Sequence, residues 1–420
     1  MNAAVFLEPN RIITRQVRLL SHKVNDTAAL LRVRACALCG YDVRVFRNGH
    51  EKVKPPIILG HEICAETVED VQLAGERVIR AGTRVAVSPL IPCLGCIYCS
   101  RRMYNLCSNM KEIGSSVNGG LAEFVQIPRT TLRVGGIIPV PNKMRDEEAS
   151  LIEPLSCCIN GLSRLDINSI DDNHTACIIG DGPIGLIHLR LLGLLGVRSI
   201  VVGRVASRMK TAKSMGADAV VDANMNPGLT AKVVSDLTNG IGADIVIVVA
   251  SDPSALTLAT KVASKNAKIS LFAGMPKDTS LSLDANLLHY NQISLIGNFS
   301  ATPDSMREAI NLISQNRLDL SEMISHYYPL HNIEEALAAT ESFRGLRSCA
   351  AQQNPECRRC RGSPTRSATC TRPFAGSSTP LARAARSGAR TSRGSPAPIA
   401  RRSHCLPKSW IFYRPKTKNG

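Results

Sequence analysis

Short hydrophobic runs separated by glycine, proline and asparagine dominate the first 150 residues of the chain. Three of these runs lie at 30–35, 84–87 and 122–127. Runs of this length between turn-forming residues predict β-strands. We therefore expect a β-rich domain over residues 1–150.

After Glu153 the pattern changes to short apolar strands that alternate with segments of helical spacing. The strands lie at 177–179, 200–202, 219–221, 244–249 and 268–272, and one more at 293–297 ends the series. Such alternation is typical of a parallel, doubly wound α/β sheet. We assign this second domain to residues 151–297. Residues 298–348 have a mostly helical pattern and are expected to return to the first domain.

The composition changes again after residue 348. The 420-residue chain has a net charge of +17, but residues 349–420 alone hold 12 arginines, 3 lysines and one acidic residue. This Arg/Ser/Pro-rich tail cannot bury enough apolar area to offset its ordering entropy, so we expect it to be disordered. It is either a frameshift-derived extension, which replaces the closing strand of the first domain, or an interaction tail for phosphates. Because it has no recognised nucleic-acid-binding pattern, nucleic acid is not expected as a partner.

The chain has no candidate membrane segment, since no stretch reaches the ~18 uninterrupted apolar residues of a membrane helix. Its first residues, MNAAVFLEPNR, lack the charged and apolar regions of a secretory signal. We therefore expect a cytoplasmic protein. In a reducing compartment, clustered cysteines more often bind metal than form disulfides.

Four cysteines lie close together in one loop with the spacing C-x2-C-x2-C-x7-C. They are Cys93, Cys96, Cys99 and Cys107. Four thiolates from one short segment suit a closed tetrahedral zinc site, which would crosslink a loop that has no core of its own. An iron–sulfur cluster is the alternative with metal, and four unrelated cysteines are the alternative without it. The spacing favours structural zinc.

A second set of candidate ligands is scattered along the chain. Cys39 precedes a glycine, His61 and Glu62 are adjacent, and Glu153 stands in a Glu-Pro-Leu sequence. A thiolate, an imidazole and a carboxylate with one open position form a catalytic zinc site. Taken singly each residue is weak evidence, because a lone cysteine is usually a small buried hydrophobe.

A glycine motif follows the first strand of the second domain and opens a helix. It contains Gly180, Gly182, Pro183, Ile184 and Gly185. The first glycine of G-x-G-x-x-G permits a tight turn, the second admits a pyrophosphate and the third allows close packing of helix on strand. The motif predicts a dinucleotide site at a helix N-terminus, and a purely structural turn is the alternative.

Together these motifs resemble the zinc-dependent medium-chain alcohol dehydrogenase family, in its polyol (sorbitol/iditol) and threonine dehydrogenase branch. The resemblance covers about residues 1–348 and rests on Cys39-Gly40-x-Asp42, Gly60-His61-Glu62, the four-cysteine lobe, the sequence at 118–123, Glu153-Pro154-Leu155 and the glycine motif. It implies a GroES-like catalytic domain, a Rossmann nucleotide-binding domain, two zinc ions per chain and a homodimer or homotetramer.

The resemblance also implies roles for the scattered ligands. Cys39 and His61 would bind the catalytic zinc, with Glu62 as a third ligand or near neighbour. Glu153 would either ligate directly or hold the zinc-bound water. Cys157, one helical turn beyond Glu153, is an alternative ligand.

Four pocket positions bear on the substrate. Tyr41 stands where the family has a serine or threonine that relays the alcohol proton; its hydroxyl can relay or its bulk can block. Arg44 replaces a histidine and contacts either an anionic substrate group or solvent. Ser300 replaces the arginine of sorbitol dehydrogenases, which puts sorbitol in doubt. Phe46 lines the pocket or packs in the core.

The end of the second strand of the nucleotide domain bears on the cofactor. NAD-binding members need an acid there for the ribose 2′-hydroxyl, and this position is Gly203. Arg204 follows and Arg208 lies one turn further on, so an arginine fork could bind a 2′-phosphate. We therefore favour NADP(H) over NAD(H), although both arginines could be ordinary exposed residues.

The implied reaction is hydride transfer between a secondary alcohol or polyol and NAD(P), with zinc stabilising the alkoxide. A threonine-type amino alcohol is the alternative substrate. An inactive nucleotide-binding regulator is the alternative outside the enzymes.

Overall fold

The computed structural model describes residues 1–19, 27–73, 77–166, 171–342, 345–351 and 370–371. In the described part of the chain, no helix combines the length and the apolar character that a bilayer crossing requires.

The N-terminal region consists of short strands with a few short helices between them. The strands are β1 (Asn2–Glu8), β2 (Arg11–Gln16), β3 (Thr27–Ala37), β4 (Ile57–Ile58), β5 (Glu62–Thr67), β6 (Val71–Gln72), β7 (Val78–Ile79), β8 (Arg84–Val87), β9 (Leu90–Ile91), β10 (Lys111–Glu112), β11 (Phe124–Pro128) and β12 (Ile137–Pro139). The helices are α1 (Gly40–Asn48), α2 (Ile97–Ser100), α3 (Arg129–Arg133) and α4 (Asp146–Ser150). The β-rich character expected from the hydrophobic runs is confirmed.

A second region alternates strand and helix after the connecting helix α5 (Ile152–Ser163). Its strands are β13 (Thr175–Ile179), β14 (Arg198–Gly203), β15 (Ala219–Asp222), β16 (Ala243–Val248), β17 (Ala263–Leu271) and β18 (Ser294–Gly297). Its helices are α6 (Pro183–Leu194), α7 (Ala206–Ser214), α8 (Pro227–Leu237), α9 (Pro253–Val262) and α10 (Ala285–Asn291). All strands are parallel in the order β15-β14-β13-β16-β17-β18. The order reverses beside β13, and ligands of such sheets bind at the carboxyl ends of the strands there.

The chain then returns to the first region. This last part contains α11 (Pro303–Ser314), β19 (Ile324–Pro329), α12 (Ile333–Glu341), β20 (Arg347–Ala351) and β21 (Cys370–Thr371). These three strands complete an eight-stranded sheet with the order β12-β8-β5-β3-β20-β19-β21, in which β11 pairs with the other part of β3. The expectation that 298–348 is mostly helical is therefore incomplete, because two strands of the first sheet lie in or begin in this segment.

The closing strand β20 runs to residue 351, although the first domain was expected to end and the tail to begin after residue 348. Its residues 349–351 pair with β3 antiparallel and with β19 in parallel. The sequence RSCAA shows no strand pattern because it is short and poor in β-branched residues. Its strand conformation depends on having a partner on each side, which is tertiary context. The rest of the predicted tail, apart from β21, lies outside the described residues.

The core is continuous between the two regions. One hydrophobic cluster joins Ala35 of β3 and Cys64 of β5 to Leu155 of α5 and Leu186 of α6. Because α5 packs on both the first sheet and the nucleotide domain, its side chains lie where the two regions meet. The combination of GroES-like domain and Rossmann sheet is as expected.

Candidate active site

The candidate catalytic thiol lies at the N-terminus of a helix. Cys39 has extended backbone angles (φ −93°, ψ 156°) and directly precedes α1. Asp42, which is buried, accepts a hydrogen bond from the Cys39 backbone N–H at 2.9 Å through Oδ2. The partial positive charge of a helix N-terminus favours a thiolate at this position.

His61 reaches the same place from the start of β5. The preceding Gly60 has φ +92°, and a Cβ there would lie 2.7 Å from Cys36 Sγ, so the turn requires glycine. His61 Nδ1 lies 3.5 Å from the other Asp42 oxygen, Oδ1. Asp42 therefore orients both the thiol segment and the imidazole, as residues behind metal ligands commonly do.

Glu62 completes a three-residue donor cluster. The donor atoms of Cys39, His61 and Glu62 all lie within 4.8 Å of one another. Both Glu62 carboxylate oxygens are buried without a hydrogen bond. A buried carboxylate in this condition costs free energy unless a cation compensates it. A thiol, an imidazole and a carboxylate match the ligands that zinc accepts.

Arg347 is a site residue that the sequence analysis missed. This fully buried first residue of β20 has Nη1 2.9 Å from Glu62 Oε1, in a direction unsuited to a hydrogen bond, and donates to the Leu38 carbonyl at 2.8 Å. Burial opposes the charge of Arg347, but Glu62 and Cys39 raise its pKa above the ordinary value. No pattern around Arg347 could have found it, because the approach of β20 to β5 is a tertiary contact.

Burial and neighbouring charges shift the pKa of the candidate ligands. Burial raises the pKa of the Cys39 thiol, but its hydrogen bond with His61 and the charge of Arg347 outweigh this and lower the pKa to about 7. Burial raises the pKa of Glu62 to about 8, despite the opposing charge of Arg347. A cation at the cluster would favour the deprotonated form of both groups.

Glu153, on α5, lies near enough to the cluster for the charges of His61 and Glu62 to act on it, but its carboxylate is not in the donor group formed by Cys39, His61 and Glu62, which does not support direct ligation. Burial raises the pKa of its carboxyl to about 7. The thiol of Cys157, one turn further along α5, lies 3.2 Å from Glu153 Oε1 and is placed to donate to it. Burial and the charge of Glu153 raise the pKa of Cys157 well above its ordinary value, which favours the protonated thiol. These contacts favour Cys157 as a partner of Glu153 over its alternative role as a metal ligand.

Tyr41 stands beside the cluster with a polar partner that the sequence did not indicate. Its hydroxyl lies 3.0 Å from Oγ of the buried Ser115. Its ring makes edge contacts with His61 and His50, with centroids 5.7 and 5.4 Å apart. Ser115 belongs to no sequence motif, and only the fold brings it close to Tyr41.

The three remaining pocket candidates, Arg44, Phe46 and Ser300, have different surroundings. Arg44 is exposed on α1 and has no hydrogen-bond or ion-pair partner within the described residues. Phe46 is buried in the first-domain core, which supports the packing alternative. Ser300 has φ +55°, and its carbonyl accepts from Asn160 Nδ2 at 2.7 Å.

The four-cysteine lobe forms a second donor cluster. The sulfur atoms of Cys93, Cys96, Cys99 and Cys107 lie within 4.8 Å of one another, and no pair among them is disulfide-bonded. Backbone N–H groups of Cys99 and Ser108 lower the pKa of Cys96 to about 5. Four converging sulfurs, one with a stabilised thiolate, fit a tetrahedral metal site.

The glycine motif has the local geometry expected of a phosphate-binding turn. Gly180 has φ +126°, and a Cβ there would lie 2.7 Å from Val249 Cγ2. A Cβ on Gly185 would lie 2.1 Å from the Gly180 carbonyl oxygen, which explains the close packing of α6. Gly182 directly precedes α6 and has no atom within 4 Å of its hypothetical Cβ, so this backbone is open to a ligand. Pro183 and Ile184 form the first turn of α6.

The two arginines after Gly203 have different surroundings. Arg204 is more than half exposed, and its Nη2 pairs with Asp252 at 2.9 Å. Arg208 is buried, and its Nε and Nη2 both donate to the Gly345 carbonyl. This placement differs from the predicted arginine fork, because Arg208 is held by a backbone carbonyl and leaves Arg204 as the accessible cation.

Comparisons with known proteins agree with the fold. Residues 25–140 match the alcohol dehydrogenase GroES-like domain, and residues 183–315 match the zinc-binding dehydrogenase domain. The D-arabitol-phosphate dehydrogenase of Enterococcus avium is 30% identical over 75% of this chain and 87% of its own length. The sorbitol dehydrogenase of Bacillus subtilis is 26% identical over 79% and 92%. A zinc-binding dehydrogenase of Sinorhizobium meliloti 1021, solved with NADP, has a TM-score of 0.73 at 26% identity and covers 83% of this chain and 98% of its own.

The chain therefore belongs to the zinc-dependent medium-chain alcohol dehydrogenase family, whose members are NAD(P)-linked oxidoreductases.

Proposed function

We propose that this chain transfers hydride reversibly between a polyol or other secondary alcohol and NAD(P), at a zinc site held by Cys39, His61 and Glu62. The observation that carries the proposal is the convergence of these three donors within 4.8 Å, with neither Glu62 oxygen engaged in a hydrogen bond. The polyol substrate class is supported by the arabitol-phosphate and sorbitol dehydrogenases to which the chain is similar.

The chain's own residues have distinct roles in this proposal. A zinc ion held by Cys39, His61 and Glu62 would supply Lewis-acid polarisation of the substrate oxygen, and a nicotinamide dinucleotide at the glycine motif would supply the hydride donor or acceptor. Glu153, whose buried carboxyl lies near His61 and Glu62, would hold or accept a proton beside the substrate oxygen. Tyr41 orients that oxygen through its hydroxyl, which Ser115 fixes at 3.0 Å. Gly182 leaves the helix N-terminus open to the pyrophosphate.

The second zinc belongs to the four-cysteine lobe, where Cys93, Cys96, Cys99 and Cys107 would hold it. We assign residues 1–150 and 298–351 to the catalytic domain, which includes the closing strand β20, and 151–297 to the nucleotide domain. A homodimer or homotetramer is supported by the exposed edge strand β18, which has no outer strand partner among the described residues. Such an edge can pair with a second copy.

NADP(H) is the proposed preferred cofactor. The strand residue that would repel a 2′-phosphate is Gly203, and the neighbouring Arg204 is exposed enough to contact a phosphate. Arg208 is left out of this role because its guanidinium is bonded to Gly345.

An anionic polyol is a second candidate substrate. Arg44 is exposed on the helix that begins beside Cys39 and lacks a partner among the described residues. A guanidinium in this condition can bind a phosphate or carboxylate group of the substrate.

The test is turnover of zinc-loaded protein, followed at the absorbance of the reduced nicotinamide, with polyols, polyol phosphates and threonine-type amino alcohols. Each substrate is paired with NAD and with NADP. Turnover of a polyol supports the proposal, and a higher rate with the phosphorylated form that is lost in Arg44→Gln supports the second candidate. Turnover of amino alcohols alone, or of nothing despite full zinc occupancy, contradicts the polyol assignment.

A further inference from the structure

We propose that Asp181, the second residue of the glycine motif, supplies the carboxylate of the ribose site and so limits the discrimination against NAD(H). The inference rests on the proposed function, since it assumes that a nicotinamide dinucleotide binds at this motif. It adds a residue on the loop after β13 that determines cofactor specificity. The choice between NAD(H) and NADP(H) is usually set by the residue at the end of the second strand, which here is Gly203.

The carboxylate of Asp181 lies directly against the end of β14. Its Oδ2 accepts hydrogen bonds from the backbone N–H of Arg204 at 2.9 Å and of Val205 at 2.7 Å. A Cβ built on Gly203 would lie 2.6 Å from both Cβ and Oδ2 of Asp181. The side chain of Asp181 therefore fills the space that a side chain at Gly203 would need.

This geometry makes an acid on the loop and an acid on the strand mutually exclusive. Any L-residue other than glycine at 203 would collide with Asp181 in its present conformation, because a Cβ contact under 3 Å is essentially never observed. The end of β14 thus lacks an acid of its own, but the carboxylate of Asp181, which follows β13, reaches the same strand end. Both strand ends border the crevice where the adenosine ribose of a dinucleotide lies.

One oxygen of this carboxylate remains available. In the part of the chain that the structure describes, Asp181 Oδ1 accepts no hydrogen bond, and it is not among the buried unpartnered atoms. Asp181 keeps 8% of its surface exposed. An accessible carboxylate oxygen can accept hydrogen bonds from ribose hydroxyls, whereas it repels a 2′-phosphate.

Arg204 can attract a 2′-phosphate and so opposes the effect of Asp181 on cofactor choice. Its guanidinium lies across the strand ends and pairs with Asp252, the residue before α9, so a 2′-phosphate would have to compete with that carboxylate. The site thus has one accessible cation that favours NADP(H) and one carboxylate that favours NAD(H). We expect both cofactors to bind, with Asp181 reducing the difference between them.

The experiment measures dissociation constants of NADH and NADPH for the zinc-loaded full chain by nicotinamide fluorescence, without any substrate. Asp181→Asn keeps the shape, and its amide oxygen can still accept both backbone N–H groups, but the charge is removed. We expect NADH to bind more weakly and NADPH more tightly, so that the ratio of the two constants shifts toward NADPH by at least about tenfold. Equal changes for both cofactors would show a structural role only and would overturn the inference.

Asp218→Asn is the matched control. Asp218 Oδ2 also accepts a backbone N–H of β14, from Ser199 at 2.8 Å, but near the amino end of the strand. The same chemical change there should leave the ratio unaltered. A similar ratio shift in Asp218→Asn would point to net charge alone and would contradict the specific role of Asp181.

A double variant tests the exclusion between loop and strand without depending on Asp181→Asn. Asp181→Gly with Gly203→Asp moves the carboxylate from the loop to the strand and also removes the Cβ of residue 181, with which a side chain at 203 would collide. We expect it to restore the NADH affinity that Asp181→Gly loses. Failure of this rescue in a folded double variant overturns the inference.

The outcomes separate this inference from the proposed function. Absence of NADH and NADPH binding by the unmodified chain overturns both. Binding by the unmodified chain with an unshifted ratio in Asp181→Asn overturns the role of Asp181 alone.

Discussion

The four-cysteine lobe and the candidate active site both gather potential metal ligands, but they do so from very different lengths of chain. The lobe takes all four sulfurs from residues 93–107, a segment with exposed apolar side chains such as Ile97 and Tyr98. The active site joins the start of α1, the start of β5, α5 and the start of β20. The lobe ligands therefore sit on a locally determined loop, whereas the active-site ligands depend on the packing of the whole first domain.

The difference predicts two kinds of dependence on metal. A loop with little core of its own takes stability from its metal, because metal binding and local folding are coupled. The active site is framed by buried side chains, and Arg347 already compensates part of the Glu62 charge. Losing the metal from the active site should abolish the reaction but should lower the stability of the fold only slightly.

The largest expected effect is on activity. Cys39→Ser should lower kcat/KM by at least about 10³-fold, equivalent to about 4 kcal/mol of transition-state stabilisation. Metal analysis should show one zinc lost while the other remains, and thermal unfolding should change little. Cys177→Ala, which removes a buried cysteine from the nucleotide-domain core, is the control and should keep both zinc ions. Full activity in Cys39→Ser would refute the proposed ligand set.

The next effect tests whether Arg347 supports the active site. Arg347→Met leaves Glu62 buried without its cation, and breaking such a pair typically costs about 3–5 kcal/mol of stability. Denaturant unfolding of the zinc-free protein, at a pH above the Glu62 pKa of about 8 so that the carboxyl is charged, measures this cost. Adding Glu62→Gln should recover a large part of it, because the buried charge is then gone. Independent, additive effects of the two substitutions would show that the pair is not coupled.

A smaller stability effect is expected in the lobe. Cys96→Ser should lower the free energy of unfolding by roughly 2 kcal/mol or more, because the lobe loses metal-coupled folding energy. Limited proteolysis should then cut within residues 93–107, while NADH binding persists. Tyr98→Ala changes an exposed residue of the same lobe and should leave protease resistance intact. Unchanged zinc content in Cys96→Ser would contradict a four-sulfur site.

Near neutral pH, the smallest effect concerns a buried histidine that lies outside both clusters, and this effect grows as the pH falls. Both ring nitrogens of His188 in α6 are buried without hydrogen bonds, and burial lowers its pKa to about 3. Below about pH 6.5 the unfolded chain binds a proton that the folded chain refuses, so stability should fall by about 1.4 kcal/mol per pH unit toward pH 3. His188 packs edge-on against Phe272, with ring centroids 4.9 Å apart, and among the described residues it belongs to neither cluster of candidate metal ligands.

His188→Leu removes this titration and should flatten the pH dependence of unfolding between pH 4 and 6.5 relative to the unmodified chain. The comparison of slopes also corrects for the other groups that titrate in this range. Identical slopes in the two proteins would show that His188 is protonated in the folded state or titrates normally.

The extent to which sequence determined the candidate site differs among its residues. The Rossmann strands were visible because parallel strands buried on both faces are continuous apolar runs such as that of β16. Gly180 and Gly185 were identifiable because their roles are local backbone requirements. Ser115 and Arg347 were invisible, because each comes into contact with its partner only across the assembled sheet. The predicted role of Arg208 in an arginine fork does not match its surroundings. Helical spacing puts Arg208 one turn beyond Arg204, but it does not show that the Gly345 carbonyl accepts hydrogen bonds from the guanidinium.

By itself the sequence determined which chemistry the chain carries: a cysteine-rich loop, scattered thiol, imidazole and carboxylate residues, and a glycine turn, all recognisable from short-range spacing. Only the tertiary structure decided which of these groups meet, that Glu62 faces Arg347, that β20 closes the sheet and that Asp181 occupies the space beside Gly203. The physical reason is that spacing fixes geometry within a turn or two of backbone, whereas contacts between distant segments follow from the packing of the complete core.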